Sequence, residues 1–273
     1  MRSKTVTAVL EKLGVERPQA DLDGLRTVYG AWCGAVSFDN TLKLIHLAEG
    51  RPGPLPGSTA DDFFEAWLEY GTGGTCWSGN GALHDLLEAL GFDVARAIAT
   101  MLPTPDVRGP NHGSVVVTVD DERWIVDASI LTGTPIRIPS SGERAGPAGP
   151  LPRFEWLGEQ PAVVWRVPRA PGGFPCRIDR IGAGAGEFDV LHQRTRAWSL
   201  FNYELNARVL RGATCVGVAS GQRFAFEPDG SWSTHELDAD GRVQFLVEEL
   251  GISEAIARRV PGDLPTPPRP DVA

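Results

Sequence analysis

Apolar positions along this chain change period twice, and the changes divide it into parts. Val6, Val9, Leu10 and Leu13 recur at helical spacing and the run stops at Gly14. Asp21 is placed to cap a second helix that turns Leu22, Leu25, Tyr29 and Trp32 inward, with Cys33 in its core. A short polar-aromatic segment, Ser37-Phe38-Asp39-Asn40, follows, and a Pro- and Gly-rich loop runs from Arg51 to Gly57. Thr59 with Asp62 is a capping signal for a helix carrying Phe63, Phe64, Trp67 and Leu68. Leu83, Leu86, Leu87 and Leu90 then form one helical stripe that Gly91 ends.

From Phe92 to Met101 the pattern alternates, which predicts a strand. Gly113 to Val119 and Arg123 to Ala128 are β-branched runs around Asp120-Asp121-Glu122, a hairpin signature. Pro139 to Pro152 has no periodicity and predicts a surface loop or linker. Short strand patterns follow at Ala162 to Val167, Leu205 to Arg211, Thr214 to Val218 and Arg223 to Phe226, with a turn at Pro228-Asp229-Gly230. Val243, Leu246, Val247 and Leu250 restore a helical face that stops at Gly251, and Ser253 caps a last short helix. The fold class expected is α+β, with a helical first part, a β-rich middle and a mixed C-terminal part.

Composition narrows the function more than the fold. The chain has 273 residues, 42% hydrophobic and 22% charged, with a net charge of −9. No Lys- or Arg-rich block is present, so no nucleic-acid partner and no anionic-membrane surface are expected. Charge interrupts the first apolar run, and no later run approaches a membrane-spanning length. Cys33, Cys76, Cys176 and Cys215 are far apart, with neither metal-ligand nor disulfide-framework spacing. The expectation is a soluble, cytoplasmic protein with reduced thiols and no metal site.

The chemistry concentrates in Gly71-Thr72-Gly73-Gly74-Thr75-Cys76-Trp77-Ser78-Gly79-Asn80, which opens a helix. Glycines permit close backbone approach, and a cysteine at a helix entrance meets free N–H groups that favour a thiolate. A buried structural cysteine in a Gly-rich turn is the competing reading. A nucleophilic cysteine needs a base, and the base needs an orienting partner. His84 is explained by an exposed ion pair with Glu88; His46 and His192 lack an obvious partner, and His235 sits in a polar segment. If Asp120-Asp121 is a two-residue turn, Val119 pairs with Glu122 and Asp127 faces Ser114. His112 is then a diagonal neighbour of Asp127 on the same face, whereas a three-residue turn would put it on the other face. Asp127 lies in the apolar run Trp124-Ile125-Val126-Asp127-Ala128, where an isolated carboxylate is costly. An imidazole N–H would satisfy it, as would backbone N–H groups at the strand end.

The order Cys76, His112, Asp127 resembles the triad of the arylamine N-acetyltransferases. Thr72-Gly73-Gly74-Thr75-Cys76 is similar to the family's R-G-G-x-C motif, with Thr72 in place of Arg. Ile125-Val126-Asp127-Ala128 is similar to its I/V-V-D-x segment, and Phe38-Asp39-Asn40 to its F-E-N segment. Ser129-Ile130-Leu131 stands where the family has a G-F-G-type loop. The resemblance implies a helical bundle over 1–91 carrying the nucleophile, a β-barrel over 92–200 carrying His and Asp, and an α/β lid over 201–273. It implies acyl transfer from a thioester, by default acetyl-CoA, through Cys76 to a small-molecule amine, with no resident cofactor. Phe38, Trp77, Ser129, Ile130 and Leu131 are the candidate substrate-binding residues, although Phe38 and Trp77 read equally as core. Three other readings stay open: an amide synthase fed by an acyl carrier protein, a Cys-His-Asp hydrolase, and a non-catalytic binding module.

Overall fold

The computed structural model describes residues 1–104, 107, 109–140 and 151–270. Most of the expected loop from Pro139 to Pro152 lies outside the described residues. The first part is helical: α1 (Ser3–Leu13), α2 (Leu22–Ala35), α3 (Thr41–Ala48), α4 (Ala60–Tyr70) and α5 (Cys76–Leu90). The expected caps form, since Asp21 accepts from the Gly24 N–H and Thr59 from the Asp62 N–H. Gly14, Gly71 and Gly91 close α1, α4 and α5 in the left-handed conformation that glycine adopts without a Cβ clash. The apolar stripes of α1, α2, α4 and α5 meet in one core around Tyr29, Trp32, Phe63, Phe64 and Trp67. The eight-residue α3 was not expected from the pattern. It buries Lys43 and His46 together with Leu44 and Ile45.

Seven strands form one barrel-like sheet. They are β2 (Asp93–Met101), β3 (His112–Val119), β4 (Glu122–Val126), β5 (Ile136–Ile138), β6 (Arg153–Leu157), β7 (Gln160–Val167) and β8 (Ala170–Ala183). Their order is β5-β4-β3-β2-β8-β7-β6. The barrel closes over Ala97, Val116, Ile125, Val163, Trp165 and Ile178. β8 is the large departure from the sequence pattern. Pro171, Gly172, Gly173 and Pro175 give no strand pattern, yet β7 pairs with Ala170, Phe174 and Pro175 across a register shift, and β2 pairs with the second half from Cys176 to Ala183. α6 (Ala185–Arg194), also unexpected, packs Phe188 and Leu191 against Ile98 of β2 and against Cys76 and Trp77 of α5.

The second sheet has order β1-β9-β10-β11-β12. It comprises β1 (Phe38–Asp39), β9 (Asn206–Arg211), β10 (Thr214–Ala219), β11 (Gln222–Phe226) and β12 (Trp232–Glu236). Its core takes in Leu205, Val209, Val216, Leu246 and Ile256 together with Leu44 and Ile45 of α3. The closing helical face is built by α7 (Ala239–Gln244) and a π-helical turn over Phe245–Glu249, and Gly251 ends it at φ 71°. Ser253 does precede α8 (Glu254–Ala257), but its hydroxyl makes no capping bond; its backbone N–H donates to the Tyr70 carbonyl instead.

The segment Phe38-Asp39-Asn40 ties the first part to this sheet. Phe38 pairs with Arg208 of β9 and bridges to Gly74. The Asn40 amide donates to the carbonyls of Phe201 and Glu204 and accepts from the Asn206 N–H.

Candidate active site

Cys76 is the first residue of α5, after an extended Thr75. Its loop is shaped by close approach of backbone to backbone. A Cβ on Gly73 would lie 1.7 Å from the Ser37 carbonyl oxygen, and one on Gly71 would lie 2.1 Å from that of Gly251. Asp39 holds the loop from beneath. It accepts from the Gly73 N–H at 2.6 Å, from the Ser37 hydroxyl at 2.7 Å and from the Thr41 hydroxyl at 2.6 Å. Burial pushes this carboxyl above its usual range, against the pull of those donors. Thr72 is fully buried, and its hydroxyl has no partner among the described residues.

β3 and β4 turn through Asp120 and Asp121, both at positive φ, as a two-residue hairpin of the kind that matches strand twist. Val119 therefore pairs with Glu122, the register on which the diagonal contact depends. His112 Nε2 and Asp127 Oδ2 are 2.8 Å apart, both groups being almost fully buried. The other Asp127 oxygen accepts from the N–H groups of Ser129 at 2.8 Å and Ile130 at 3.0 Å, and from the Asn80 amide at 3.3 Å. Both partners proposed from sequence for this carboxylate are thus present together. Burial pushes Asp127 up, but the imidazole and the Ile130 N–H hold it below the usual carboxylate range. Burial likewise pushes His112 down. Asp127, with Cys76 beside the ring, more than reverses this and raises the imidazole to about 10. Since Nε2 faces Asp127, Nδ1 is the nitrogen left for the thiol. Cys76 packs with Trp77, Ile98, Phe188 and Leu191.

Several contributors are absent from the sequence argument. Asn80, one helical turn beyond Cys76, donates to the Gly113 carbonyl at 2.6 Å and accepts from the Ala128 N–H at 2.9 Å, clamping α5 to both strands of the hairpin. The Tyr29 hydroxyl accepts from the N–H groups of Asp127 and Thr132. Lys43 is buried with its ammonium 2.9 Å from the Thr195 hydroxyl. Burial lowers it to about 7, the charge of Cys76 opposing and that of Arg196 assisting. At Lys43 the missed signal was a single charge within the apolar run Leu42 to Ile45.

Three histidines depart from expectation: His46, expected without a partner, has its Nε2 3.1 Å from an Arg196 guanidinium nitrogen. His84 is buried, and its Nδ1 lies 3.0 Å from Asp85 rather than in an exposed pair with Glu88. His192 does have a partner, the Pro56 carbonyl at 3.0 Å, and burial lowers it to about 4.

The five candidate substrate-binding residues separate. Trp77 is core, edge-on to Phe188. Phe38 is core as well, with its ring against the Arg208 guanidinium at 4.3 Å. The Ser129 carbonyl accepts from Arg208 Nε at 2.6 Å. Ile130 and Leu131 line a cavity of ≈ 320 Å³ between the barrel and the second sheet, shared with Trp165, Arg208, Leu210 and Phe224. Leu131 takes φ 55°, a conformation a leucine rarely adopts.

Comparison with known proteins places this geometry. A family model described as N-acetyltransferase matches residues 21–153, which include Cys76, His112 and Asp127. An arylamine N-acetyltransferase of Mycolicibacterium smegmatis is 30% identical over 140 residues, 47% of this chain and 48% of the relative. The match therefore spans about half the length of that curated relative. The solved arylamine N-acetyltransferase of Mycobacterium marinum superposes with a TM-score of 0.76 at 20% identity, covering 93% of this chain and 99% of its own. Its complex with CoA gives 0.77 at 19% identity, covering 93% and 98%. The Salmonella typhimurium enzyme gives 0.74 at 19%, covering 95% and 98%. The chain thus resembles the arylamine N-acetyltransferases in sequence across residues 21–153 and has their fold along nearly its whole length.

Proposed function

We propose that the protein is an N-acyltransferase of the arylamine N-acetyltransferase kind, with Cys76, His112 and Asp127 as its catalytic residues. The observation that carries this reading is the buried 2.8 Å contact between His112 and Asp127, with Cys76 beside the imidazole at the start of α5. An imidazole raised to about 10 holds a proton in preference to an ordinary thiol, whose range lies near about 8.5. The resting pair is then a Cys76 thiolate and a His112 imidazolium, with Asp127 fixing the ring.

The thiolate attacks the carbonyl of an acyl thioester, by default acetyl-CoA. The carbon–sulfur bond to the donor breaks, and His112 returns a proton to the departing donor thiolate. The acyl-cysteine is then attacked by a small-molecule amine. The now neutral His112 takes the proton the amine loses, and Cys76 leaves again as thiolate. N–H groups in the first turn of α5 have no intrahelical acceptors and are available to the tetrahedral oxyanion. The M. marinum relative solved with CoA supports a CoA thioester as donor.

Intact-mass spectrometry after exposure to acetyl-CoA tests the reading. We expect one acetyl group on the wild-type chain, none on Cys76→Ala, and discharge that speeds up when an arylamine is added. No adduct on the wild type would sink the proposal. Discharge at equal rate without amine would make the protein a hydrolase instead.

A further inference from the structure

Arg208 is a buried charge for which the acyl-transfer steps above have no use. It sits on β9, only 9% exposed, between Ala207 and Val209 of an otherwise apolar strand core. Its Nε donates to the Ser129 carbonyl, and its guanidinium lies over the rings of Phe38 at 4.3 Å and Trp165 at 4.6 Å. Among the described residues no carboxylate pairs with it, and its remaining N–H groups have no protein acceptor. The side chain lines the ≈ 320 Å³ cavity together with Ile130, Leu131 and Trp165. An unpaired cation buried in such a place is costly, and burial does pull this one down, to about 10.

We propose that Arg208 and this cavity form a recognition site for a carboxylate carried by one of the two reactants of the acyl transfer. The inference rests on the acyltransferase reading for its reactants. The charge count favours a monoanion. Arg166 also lines the cavity, but its guanidinium is spent on the carbonyls of Gly230 and Glu227, and the Glu227 carboxylate at the same wall offsets its charge. One net positive charge remains, matched by a carboxylate and exceeded by a phosphate dianion. The free edge of a guanidinium accepts a planar carboxylate through paired N–H bonds. The site adjoins the triad, since Ser129, whose carbonyl takes the Arg208 Nε–H, gives its own N–H to Asp127. A carboxylate there comes either from a dicarboxylic half-thioester donor or from an amino-acid-like acceptor such as an aminobenzoate.

Binding and turnover separate these sources. Calorimetry on Cys76→Ala protein with succinate, benzoate and their neutral amides reads the site without catalysis. On the active enzyme, one arm compares Cys76 acylation by succinyl-CoA and butyryl-CoA. The other compares discharge of acetyl-enzyme by para-aminobenzoate and para-aminobenzamide. We expect carboxylates to bind and amides not to, and one arm to favour the carboxylate by about 10–100-fold, the worth of a charged hydrogen-bonded pair. Arg208→Gln should bring that ratio to near one, and Arg208→Lys should keep part of it. Equal binding of carboxylates and amides, with both wild-type ratios near one, would overturn the proposal even if Arg208→Gln failed to fold. Should no thioester acylate Cys76, the acyltransferase reading falls, while calorimetry still decides the carboxylate site.

Discussion

Two buried charges face the loop from Asp127 to Thr134 and are treated in opposite ways. Asp127 accepts four hydrogen bonds, one at Oδ2 from His112 and three at Oδ1 from two backbone N–H groups and Asn80. Arg208 has one carbonyl and two aromatic faces. Lys43 stands with Arg208, since a single hydroxyl is its one hydrogen-bond partner among the described residues. On one side the protein has completed its own electrostatics; on the other it has left cations incomplete beside a cavity or the nucleophile. Charges of the first kind resist removal, because the partner is then stranded. Charges of the second kind weigh on the free protein, and their removal relieves it.

The largest test removes the completed charge. Asp127→Asn should slow acylation of Cys76 by about 10³–10⁴-fold, as loss of an orienting carboxylate does in related triads. It should also cost about 3–5 kcal/mol by urea unfolding. Unchanged stability would end the contrast between the two sides.

The second test is the pH dependence of stability. His112 titrates near 10 in the fold against about 6.5 unfolded, so its contribution is complete below about 6.5 and is lost as pH rises through 10. Lys43 titrates near 7 in the fold against about 10.5 unfolded. The unfolded chain binds the extra proton between those values, so stability climbs with pH there. Lys43 contributes an upward slope of about 1.4 kcal/mol per pH unit. The proton that His112 holds in the proposed ion pair is the one Cys76 gives up, so the pair opposes that slope only above about 8.5, where an unfolded thiol has itself ionised. The wild type should climb from pH 7 to about 8.5 and be nearly flat from there to about 10. Lys43→Met should be more stable at pH 6, stay nearly level to about pH 8.5 and lose stability from there toward pH 10. A flat profile in that variant would break the argument. A third and smaller effect is expected at Thr72, whose buried hydroxyl is unpartnered among the described residues. Thr72→Val should raise stability by about 1 kcal/mol, read as a shift in urea midpoint without a change in slope.

The pairing of His112 with Asp127 was legible in the sequence because a hairpin register is arithmetic once the turn length is known. Asp120 and Asp121 tolerate the left-handed backbone that a two-residue turn demands. The helix caps at Asp21 and Thr59 were legible for a similar reason, being local. β8 was not, because its Pro and Gly residues break the strand pattern and only pairing with β7 there, and with β2 from Cys176 onward, makes it one strand. α3 and α6 were hidden by polar residues such as Lys43 and His192 that their surroundings bury. Arg208 escaped although the reasoning that singled out Asp127, a lone charge in an apolar strand, applied to it equally. What sequence could not supply there was a partner, and no carboxylate pairs with it among the described residues.

The attachment of Phe38-Asp39-Asn40 to β9 bears on how the chain is made. Pairing Phe38 with Arg208 and Asn40 with residues near 204 joins positions more than 160 residues apart. During vectorial synthesis Cys76, His112 and Asp127 all emerge long before that strand does. The loop that seats Cys76 rests on Asp39, whose own strand has the bridge to Gly74 but no antiparallel ladder until β9 arrives. A nascent chain therefore carries its reactive thiol before the seat is fixed, and the site matures late, on a slow long-range contact.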